Sequence, residues 1–151
     1  LMNEIIFKTP TNQKELKEYD LFRWKILRKP IGKNISSLKD KFEKSAFHLI
    51  GIKKEEIVAC GRLHFNNKDE AQVRYMAVAQ NLQGIGIGKE VLRLLEKNAK
   101  KNNAKKIVLN ARDHAIDFYK VSGYKIVKKY YGSDTDIPHT TMEKNISTFS
   151  S

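Results

Sequence analysis

Two segments of the chain carry apolar residues at helical spacing. The first begins after Thr11 and runs to about residue 28, and the second covers about residues 83–103. Apolar side chains that recur every three or four residues line one face of an α-helix, so both segments are predicted to be amphipathic helices. Pro30 and Gly32 follow the first segment and predict where that helix ends.

Extended runs of apolar residues occupy most of the remaining chain. They predict strands at 45–52, 56–65, 71–79, 106–110, 124–131 and 139–146. Two shorter helices are predicted at 37–44 and 114–121. A short polar turn separates the first two strands, which are therefore predicted to form a hairpin. The order of these elements predicts a mixed-sheet domain of the α/β or α+β class.

The length of the chain suits one domain around one hydrophobic core. It has 151 residues, 40% of them hydrophobic, and no repeat or Pro/Gly linker divides it. We therefore expect a single domain over residues 2–147 and a C-terminal tail at 148–151. Leu1 is expected to be a remnant of cloning that precedes the natural start at Met2.

The chain is strongly basic, with a formal net charge of +12 at pH 7. A basic surface attracts polyanions such as nucleic acid and phosphorylated cofactors, but the lysines are spread along the chain rather than gathered in one run. No apolar run approaches the roughly 20 residues that span a bilayer. Cys60 is the single cysteine and has no partner for an internal disulfide. We expect a cytoplasmic protein with no membrane partner and, since the cysteine and histidines lack zinc-ligand spacing, no metal.

A glycine-rich segment at residues 83–89 lies between a predicted strand and a predicted helix. Its sequence is Gln-Gly-Ile-Gly-Ile-Gly-Lys. Glycines let the backbone adopt positive φ and approach a ligand closely, and the free N–H groups at a helix N-terminus attract anions. The dinucleotide-binding fingerprint fails because Lys89 stands where its third glycine belongs. The Walker-type phosphate loop fails because Glu90 replaces its Ser/Thr.

The segment satisfies a third motif, Gln/Arg-x-x-Gly-x-Gly/Ala, through Gln83, Gly86 and Gly88. In that pattern it resembles the pyrophosphate loop of the GNAT superfamily of N-acetyltransferases. A glycine-softened helix start is the simpler alternative, but three alternate glycines at a helix N-terminus cost helix stability, which argues against it.

The resemblance continues on both sides of the loop, over about residues 71–127. Residues 74–78 look like the fourth strand of the family and 107–110 like the fifth. Residues 115–124 are similar to the family's Ala-x-x-Phe-Tyr-x-x-x-Gly-Phe/Tyr segment. Many members carry Asn three residues before that alanine, where this chain has Arg112, so the usual Asn contact does not transfer.

The resemblance implies a GNAT-like mixed, mostly antiparallel sheet of six to seven strands, flanked by helices, with the fourth and fifth strands splayed apart around the pantetheine arm of acetyl-CoA. Acetyl-CoA is then the expected co-substrate, and an amine would attack its thioester directly. The residues expected at the cofactor are Met76, Ala77, Val78, Gln83, Gly84, Ile85, Gly86, Ile87, Gly88, Lys89, Asn110, Arg112, Ala115, Phe118 and Tyr119.

The resemblance also implies that Tyr119 acts on the leaving sulfur. A phenol with a pKa near ~10 is protonated at neutral pH, whereas a thiol near ~8.5 is the stronger acid, so a hydrogen bond in the transition state is as compatible as full proton transfer. The general base is left open between His139, His64 and a water relay. Cys60 is not expected to be a nucleophile, because a lone cysteine on a strand is usually buried and inert.

In this family the N-terminal helices and last strands shape the acceptor site, here about residues 22–33 and 130–139. The candidate substrate residues are Arg23, Trp24, Arg28 and His139. The acceptor is expected to be a primary amine of a small molecule or a peptide, and the protein a monomer or homodimer.

Two other functions stay open at this point. One is a basic nucleic-acid-binding module that uses residues 125–131, although a strand would turn those lysines to both faces. The other is an acetyl-CoA sensor without turnover, against which the intact glycine loop and Tyr119 favour catalysis. Nucleic acid is not the expected partner.

Overall fold

A computed structural model describes residues 2–131 and 137–146, which form a mixed α/β fold with a seven-stranded sheet. The strands are β1 (Ile6–Lys8), β2 (Phe47–Lys53), β3 (Glu56–Phe65), β4 (Glu70–Val78), β5 (Lys106–Arg112), β6 (Lys125–Tyr131) and β7 (Pro138–Asn145), and the α-helices are α1 (Gln13–Arg23), α2 (Ile87–Lys101) and α3 (Ile116–Val121). The strand order is β1-β2-β3-β4-β5-β7-β6. The pairs β1–β2, β2–β3, β5–β7 and β6–β7 are antiparallel and β4–β5 is parallel. The predicted mixed, mostly antiparallel sheet is confirmed.

The chain divides into two compact units. The N-terminal unit comprises residues 1–64 with 75–95, and the C-terminal unit comprises residues 65–74 with 96–151. Strand β4 contributes its beginning to the C-terminal unit and residues 75–78 to the N-terminal unit.

Helix α1 begins where its N-terminal N–H groups find acceptors. The N–H of Glu15 donates to Asn12 Oδ1 at 2.8 Å, and the Glu15 carboxylate accepts the N–H of Thr11 at 2.9 Å. A reciprocal cap of this kind satisfies groups that have no intrahelical partner. After α1 the chain continues as a π-helical segment, Trp24–Arg28, and stops at Gly32, whose φ of 78° is left-handed. The predicted start and end of the first helical segment are confirmed.

Strands β2 and β3 form a hairpin, and β3 packs against α2 within the N-terminal unit. Its turn residues Lys54 and Glu55 have φ values of 49° and 66°, as in the type I′ turns that suit twisted strands. In β3, a Cβ at Gly61 would lie 2.8 Å from both Leu95 Cδ1 and Val91 Cγ1. The missing side chain therefore lets α2 lie close to β3.

The parallel strands β4 and β5 pair with each other where both strands begin. The register of β4 and β5 covers the first three residues of each strand. Strand β4 continues to Val78 and β5 to Arg112. A register confined to the beginning of both strands agrees with the predicted splay, which stays a prediction over the rest of their length.

The sheet of the C-terminal unit has two different faces. Leu109 lies opposite Met142 on a buried face, and both are at most 2% exposed. Arg112 lies opposite His139 on the other face, where the side chains are half-buried. Alternation along β5 and β7 therefore separates an apolar core face from a polar face that can meet a ligand.

Two elements differ from the sequence prediction. The helix predicted at 37–44 is wrong, because the structure has a 3-10 turn at Ile35–Leu38 and then a bend and turn. Side chains of that segment are engaged elsewhere, since Asp40 and Glu43 both bind Arg62. Strand β1 lies outside the predicted elements, because its three residues become a strand only by pairing with β2, far along the chain.

Candidate active site

The glycine-rich segment leads into α2 in the N-terminal unit. A 3-10 turn, Gln80–Leu82, comes first, and then Gly84 and Gly86 take left-handed φ values of 85° and 97°. Helix α2 begins at Ile87, and the N–H of Glu90 donates to the Gly86 carbonyl at 3.1 Å. The earlier N–H groups of the first turn have no acceptor within the helix and point out of its N-terminus. This loop is therefore able to bind an anion with main-chain groups.

The loop is fastened to the end of β4. The Gln83 side-chain Nε2 donates to the Val78 carbonyl at 3.1 Å. Ala77 is buried, its neighbours in β4 are half-buried, and Ile85 and Lys89 are exposed. The structure thus brings together two groups of residues that were predicted at the cofactor, namely 76–78 and 83–89.

Tyr119 lies on α3 in the C-terminal unit, one turn after Ala115, and is 9% exposed. Burial raises the pKa of its phenol to about 12, so the hydroxyl keeps its proton at neutral pH. Its ring packs edge-on against the rings of Phe118 and Tyr124, with centroids 5.0 and 5.8 Å apart. Tyr124 in turn donates to Glu96 at 2.8 Å. The cluster holds the ring in place while its hydroxyl remains a proton donor.

His139 lies among polar groups on the half-buried face of the C-terminal unit. It pairs with Arg112 across β5 and β7, and its ring centroid is 6.4 Å from that of Tyr130. On the same face, Thr141 donates to Asn110 Oδ1 at 2.7 Å. Three strands therefore contribute to one polar surface around the imidazole.

The hydrogen bond of His139 determines its tautomer. Nδ1 lies 2.8 Å from the carbonyl oxygen of Ile137. Because a carbonyl only accepts, Nδ1 carries the hydrogen and Nε2 carries the lone pair. The imidazole is therefore able to accept a proton at Nε2, as a general base must.

Asn110 and Arg112 lie on the face of His139 rather than on the face of the Tyr119 cluster. Lys144, which is bound at 3.1 Å to the same glutamate as Tyr124, projects from β7 on the opposite side to His139. Both residues were expected at the cofactor, which stays a prediction, and they share their face of the sheet with the candidate base.

The acceptor residues predicted at the end of α1 and just after it have mostly structural partners. Arg23 is 0% exposed and its Nη2 lies 2.8 Å from Glu43. Arg28 is 5% exposed and its Nε donates to a serine hydroxyl at 2.9 Å. The Trp24 Nε1 donates to the Lys33 carbonyl at 2.9 Å. Arg23 and Arg28 are therefore buried in structural contacts, the ring of Trp24 is half-buried, and the acceptor role of these three residues stays a prediction.

Two other candidates for chemistry are buried in the N-terminal unit. Cys60 is 0% exposed, and burial raises the pKa of its thiol to about 12, so it is no nucleophile at neutral pH. His64 is 4% exposed, stacks on Phe42 with ring centroids 3.9 Å apart, and its Nδ1 accepts from Arg62 at 3.2 Å. Burial in this stack leaves His139 the better candidate for the base.

The family follows from a comparison of the whole sequence. The profile of the Acetyltransferase (GNAT) family matches residues 3–124, well over half of the chain. The chain belongs to this family. The sequence prediction of a GNAT N-acetyltransferase, and hence of an acyltransferase, is confirmed.

A curated relative and two solved structures support the assignment. This GNAT acetyltransferase is 26% identical to an uncharacterised N-acetyltransferase, YjcF, of Bacillus subtilis strain 168, over 89% of the chain and 95% of the relative. A structure of an aminoglycoside 6′-N-acetyltransferase complexed with coenzyme A superposes with a TM-score of 0.80 at 16% identity, over 97% of this chain and 99% of that one. The structure of a GNAT family acetyltransferase from Elizabethkingia anophelis with acetyl-CoA bound superposes with a TM-score of 0.74 at 19% identity, over 95% of this chain and 99% of that one. At such identities the structures show the shared fold.

The basic strand β6 of the GNAT acetyltransferase does not gather its lysines on one face. Lys125 and Lys128 lie opposite Glu143 and Thr141, whereas Lys129 lies opposite Thr140. The lysines of β6 therefore lie on both faces of the sheet, as predicted. The nucleic-acid-binding alternative gains no support from this strand.

Within the described ranges, 2–131 and 137–146, no helix is long and apolar enough to cross a membrane. In the same residues no group of three or more His, Cys, Asp or Glu side chains could hold a metal ion. Part of the acceptor segment predicted at 130–139 lies outside the described residues. Thr141 and Tyr130 were missed as neighbours of His139, although alternation along the predicted strands would have placed Thr141 on its face.

Proposed function

We propose that this acetyltransferase moves the acetyl group of acetyl-CoA to a primary amine of a small molecule or a peptide by direct attack. The observation that carries the proposal is the loop into α2, where Gly84 and Gly86 have left-handed φ and the helix N-terminus offers free N–H groups. The coenzyme A and acetyl-CoA named in the two similar structures support acetyl-CoA as the co-substrate here.

The loop and the end of β4 would hold different parts of the cofactor. Main-chain N–H groups of the loop would bind the pyrophosphate, and exposed Lys89 adds a positive charge at the start of α2. The main chain of residues 76–78 would bind the end of the pantetheine arm and the acetyl group that it carries. The hydrogen bond from Gln83 to Val78 supports this division, because it keeps the two contacts at a fixed separation.

Tyr119 would assist departure of the thiolate. The amine nitrogen bonds to the carbonyl carbon, the carbon–sulfur bond breaks, and negative charge develops on sulfur. Burial raises the pKa of Tyr119 to about 12, which makes the phenol a weaker acid than a thiol near ~8.5. A hydrogen bond to the developing thiolate is therefore a better role for Tyr119 than complete transfer of its proton.

His139 would take the proton that the amine loses. Its Nε2 carries the lone pair, and Asn110 and Arg112 lie on the same face, where they would orient the acceptor rather than the cofactor. Direct attack needs no metal and no covalent enzyme intermediate. The cytoplasm, where acetyl-CoA is available, is the compartment that we expect.

Acetyl-CoA binding tests the loop. In Gly86→Ala the new Cβ would lie 3.7 Å from Met2 Cε and, among residues 2–131 and 137–146, meet no other part of the fold within 4 Å, so the methyl group would disturb the anion site more than the fold. Gly32→Ala is a matched control, since Gly32 has a φ of 78° and its new Cβ would meet no other part of the described structure within 4 Å. Each change should cost about 1 kcal/mol of stability through the left-handed backbone.

Only Gly86→Ala should lose acetyl-CoA binding, measured by calorimetry and by the rise in melting temperature that the cofactor causes in the wild type. Equal affinity in the two variants would remove the loop from the proposal. A wild-type protein that binds no acetyl-CoA would remove the proposal itself.

A further inference from the structure

Tyr75 has an unusual backbone conformation for a residue within a strand. Its φ is 58°, in the left-handed region, although it lies inside β4. A bulky residue rarely adopts this conformation and keeps it only where its surroundings hold it there. Such outliers cluster at functional sites, so the surroundings of Tyr75 are informative.

The Tyr75 side chain is held at both its ring and its hydroxyl. The guanidinium carbons of Arg62 and Arg23 lie 5.0 and 5.6 Å from the ring centroid. Both arginine side chains are 0% exposed, and a desolvated cation over an aromatic face is a favourable contact. The hydroxyl donates to the Ser37 carbonyl at 3.4 Å.

Glu43 links the two arginines into one network. Its Oε1 accepts from Arg62 Nη1 at 3.0 Å and its Oε2 accepts from Arg23 Nη2 at 2.8 Å. Asp40 receives two further bonds from Arg62, at 2.9 and 2.8 Å, and Asp20 receives one from Arg23, at 2.7 Å. The network thereby ties α1, the segment before β2, and β3 to the ring of a β4 residue.

A contribution to folding stability does not by itself explain why Arg23 and Arg62 are buried in this network. Within the described residues, Nε of Arg23 and Nε of Arg62 have no hydrogen-bond partner. The cost of desolvating buried charges offsets much of their attraction, and an unsatisfied buried N–H adds a further penalty. Buried ionic groups do specify geometry in some proteins. A role in holding Tyr75 at one place explains the network better than a role in stability.

The main chain next to Tyr75 is held as well. The Cys60 Sγ lies 3.3 Å from the Tyr75 carbonyl, to which it donates, and it accepts a hydrogen bond from the N–H of Ala77. Ala77 belongs to the segment 76–78, the proposed contact for the acetyl end of the cofactor. The position of Tyr75 and the direction of that segment are therefore coupled.

We propose that Tyr75 is a positioning residue, held by the network of Arg62, Glu43 and Arg23, and that it sets the main chain of residues 76–78 against the acetyl end of acetyl-CoA. The inference rests on the proposed function, and Tyr75 itself touches no reacting atom. The loop into α2, the proposed pyrophosphate contact, contains none of the residues of this network. Loss of the network around Tyr75 should therefore lower the affinity for acetyl-CoA more than the affinity for coenzyme A.

Calorimetry with acetyl-CoA and with coenzyme A separates these two contributions. Tyr75→Gly tolerates the left-handed φ but lacks the ring, and Glu43→Gln keeps the shape of the side chain but removes its charge. Each should bind acetyl-CoA about tenfold more weakly than the wild type, and coenzyme A within about twofold. Tyr75→Phe keeps the ring and should stay close to the wild type for both ligands.

Glu15→Gln is the matched control for the loss of an ion pair. Glu15 binds Lys8 at 2.8 Å in the same unit, and it is absent from the network around Tyr75. This variant should bind both ligands as the wild type does. Arg62→Lys, which keeps the charge but loses the paired geometry, replaces either test variant that does not fold at the assay temperature.

The outcomes separate the inference from the function on which it rests. Unchanged acetyl-CoA affinity in the folded test variants overturns the positioning role, and so does an equal loss for acetyl-CoA and coenzyme A. Binding of neither ligand by the wild type overturns the proposed function and this inference with it.

Discussion

Among single residues, Tyr119 shows most directly how burial shapes chemistry. Its hydroxyl is proposed to act on a charge that develops only in the transition state, whereas the ring is packed in the ground state. Tyr119→Phe should therefore lower kcat by about 100-fold and leave the Kd of acetyl-CoA within about twofold. Steady-state kinetics with an accepted amine, together with calorimetry, measure the two effects.

Tyr124→Phe is the control for that experiment. It removes a hydroxyl from the neighbouring ring, whose hydrogen bond to Glu96 is 2.8 Å long. That change should lower the free energy of unfolding by about 1 kcal/mol, because a hydrogen bond to a half-buried carboxylate is lost while Lys144 still pairs with it, and it should spare kcat. If the two variants lose kcat equally, Tyr119 contributes packing and not chemistry.

Single residues also show where local pattern misleads. Arg23 is the last residue of α1, and the sequence placed it at the acceptor site. In the structure Arg23 is 0% exposed and bound to Glu43, which lies 20 residues further along the chain. A charged residue is buried only when partners compensate it, and partners so distant in sequence are invisible to any reading of spacing.

At the scale of elements, the contact of β3 with α2 depends on one missing side chain. Gly61→Ala would place a methyl group 2.8 Å from Leu95 and from Val91. Over-packing of this kind should cost about 1–3 kcal/mol of unfolding free energy, measured in urea. Since α2 carries the proposed pyrophosphate loop at its N-terminus, acetyl-CoA affinity should fall as well.

A double-mutant cycle checks the cause of that loss. In the Gly61→Ala background, Leu95→Ala should cost less than it does in the wild type, because the new methyl group occupies part of the space that Leu95 vacates. Additive costs would place the effect in the strand backbone instead of the contact with α2.

Elements differ in how far their own sequence determines them. Helix α1 and the turn at Lys54–Glu55 lie where local signals predicted them, because caps and short turns involve neighbouring residues. A short helix was predicted at 37–44, but Asp40 and Glu43 of that segment bind Arg62 of β3 instead. Long-range ion pairs there override local preference.

For the whole molecule, buried tyrosines set a limit at alkaline pH. Burial raises the pKa of Tyr119 to about 12, and it raises the pKa of Tyr19 and of Tyr124 as well. In the unfolded chain a phenol ionises near ~10, so the stability that these groups contribute is fully present below that pH and falls above it; the contribution of Tyr119 is lost as pH rises through about 12. The free energy of unfolding should fall by about 1.4 kcal/mol per pH unit for each such group.

Urea unfolding between pH 9 and ~11.5, with phenolate absorbance as a second signal, tests this expectation. The free energy of unfolding of Tyr119→Phe should fall less over that range than that of the wild type, and the difference should equal the contribution of one phenol, about 1.4 kcal/mol per pH unit. An identical decline in the variant would show that other groups, such as the lysines, govern alkaline unfolding.

The sequence by itself determined the kind and order of most elements, the fold class and the glycine loop. Apolar spacing, caps and turns act between near neighbours, and a main-chain anion site needs little more than glycines between a strand and a helix. Only the tertiary structure decided which charges are buried, that His139 shares its face with Arg112, and that Tyr75 takes a left-handed φ. Each of those features depends on partners from distant parts of the chain, and their cost or benefit exists only once folding has brought those partners together.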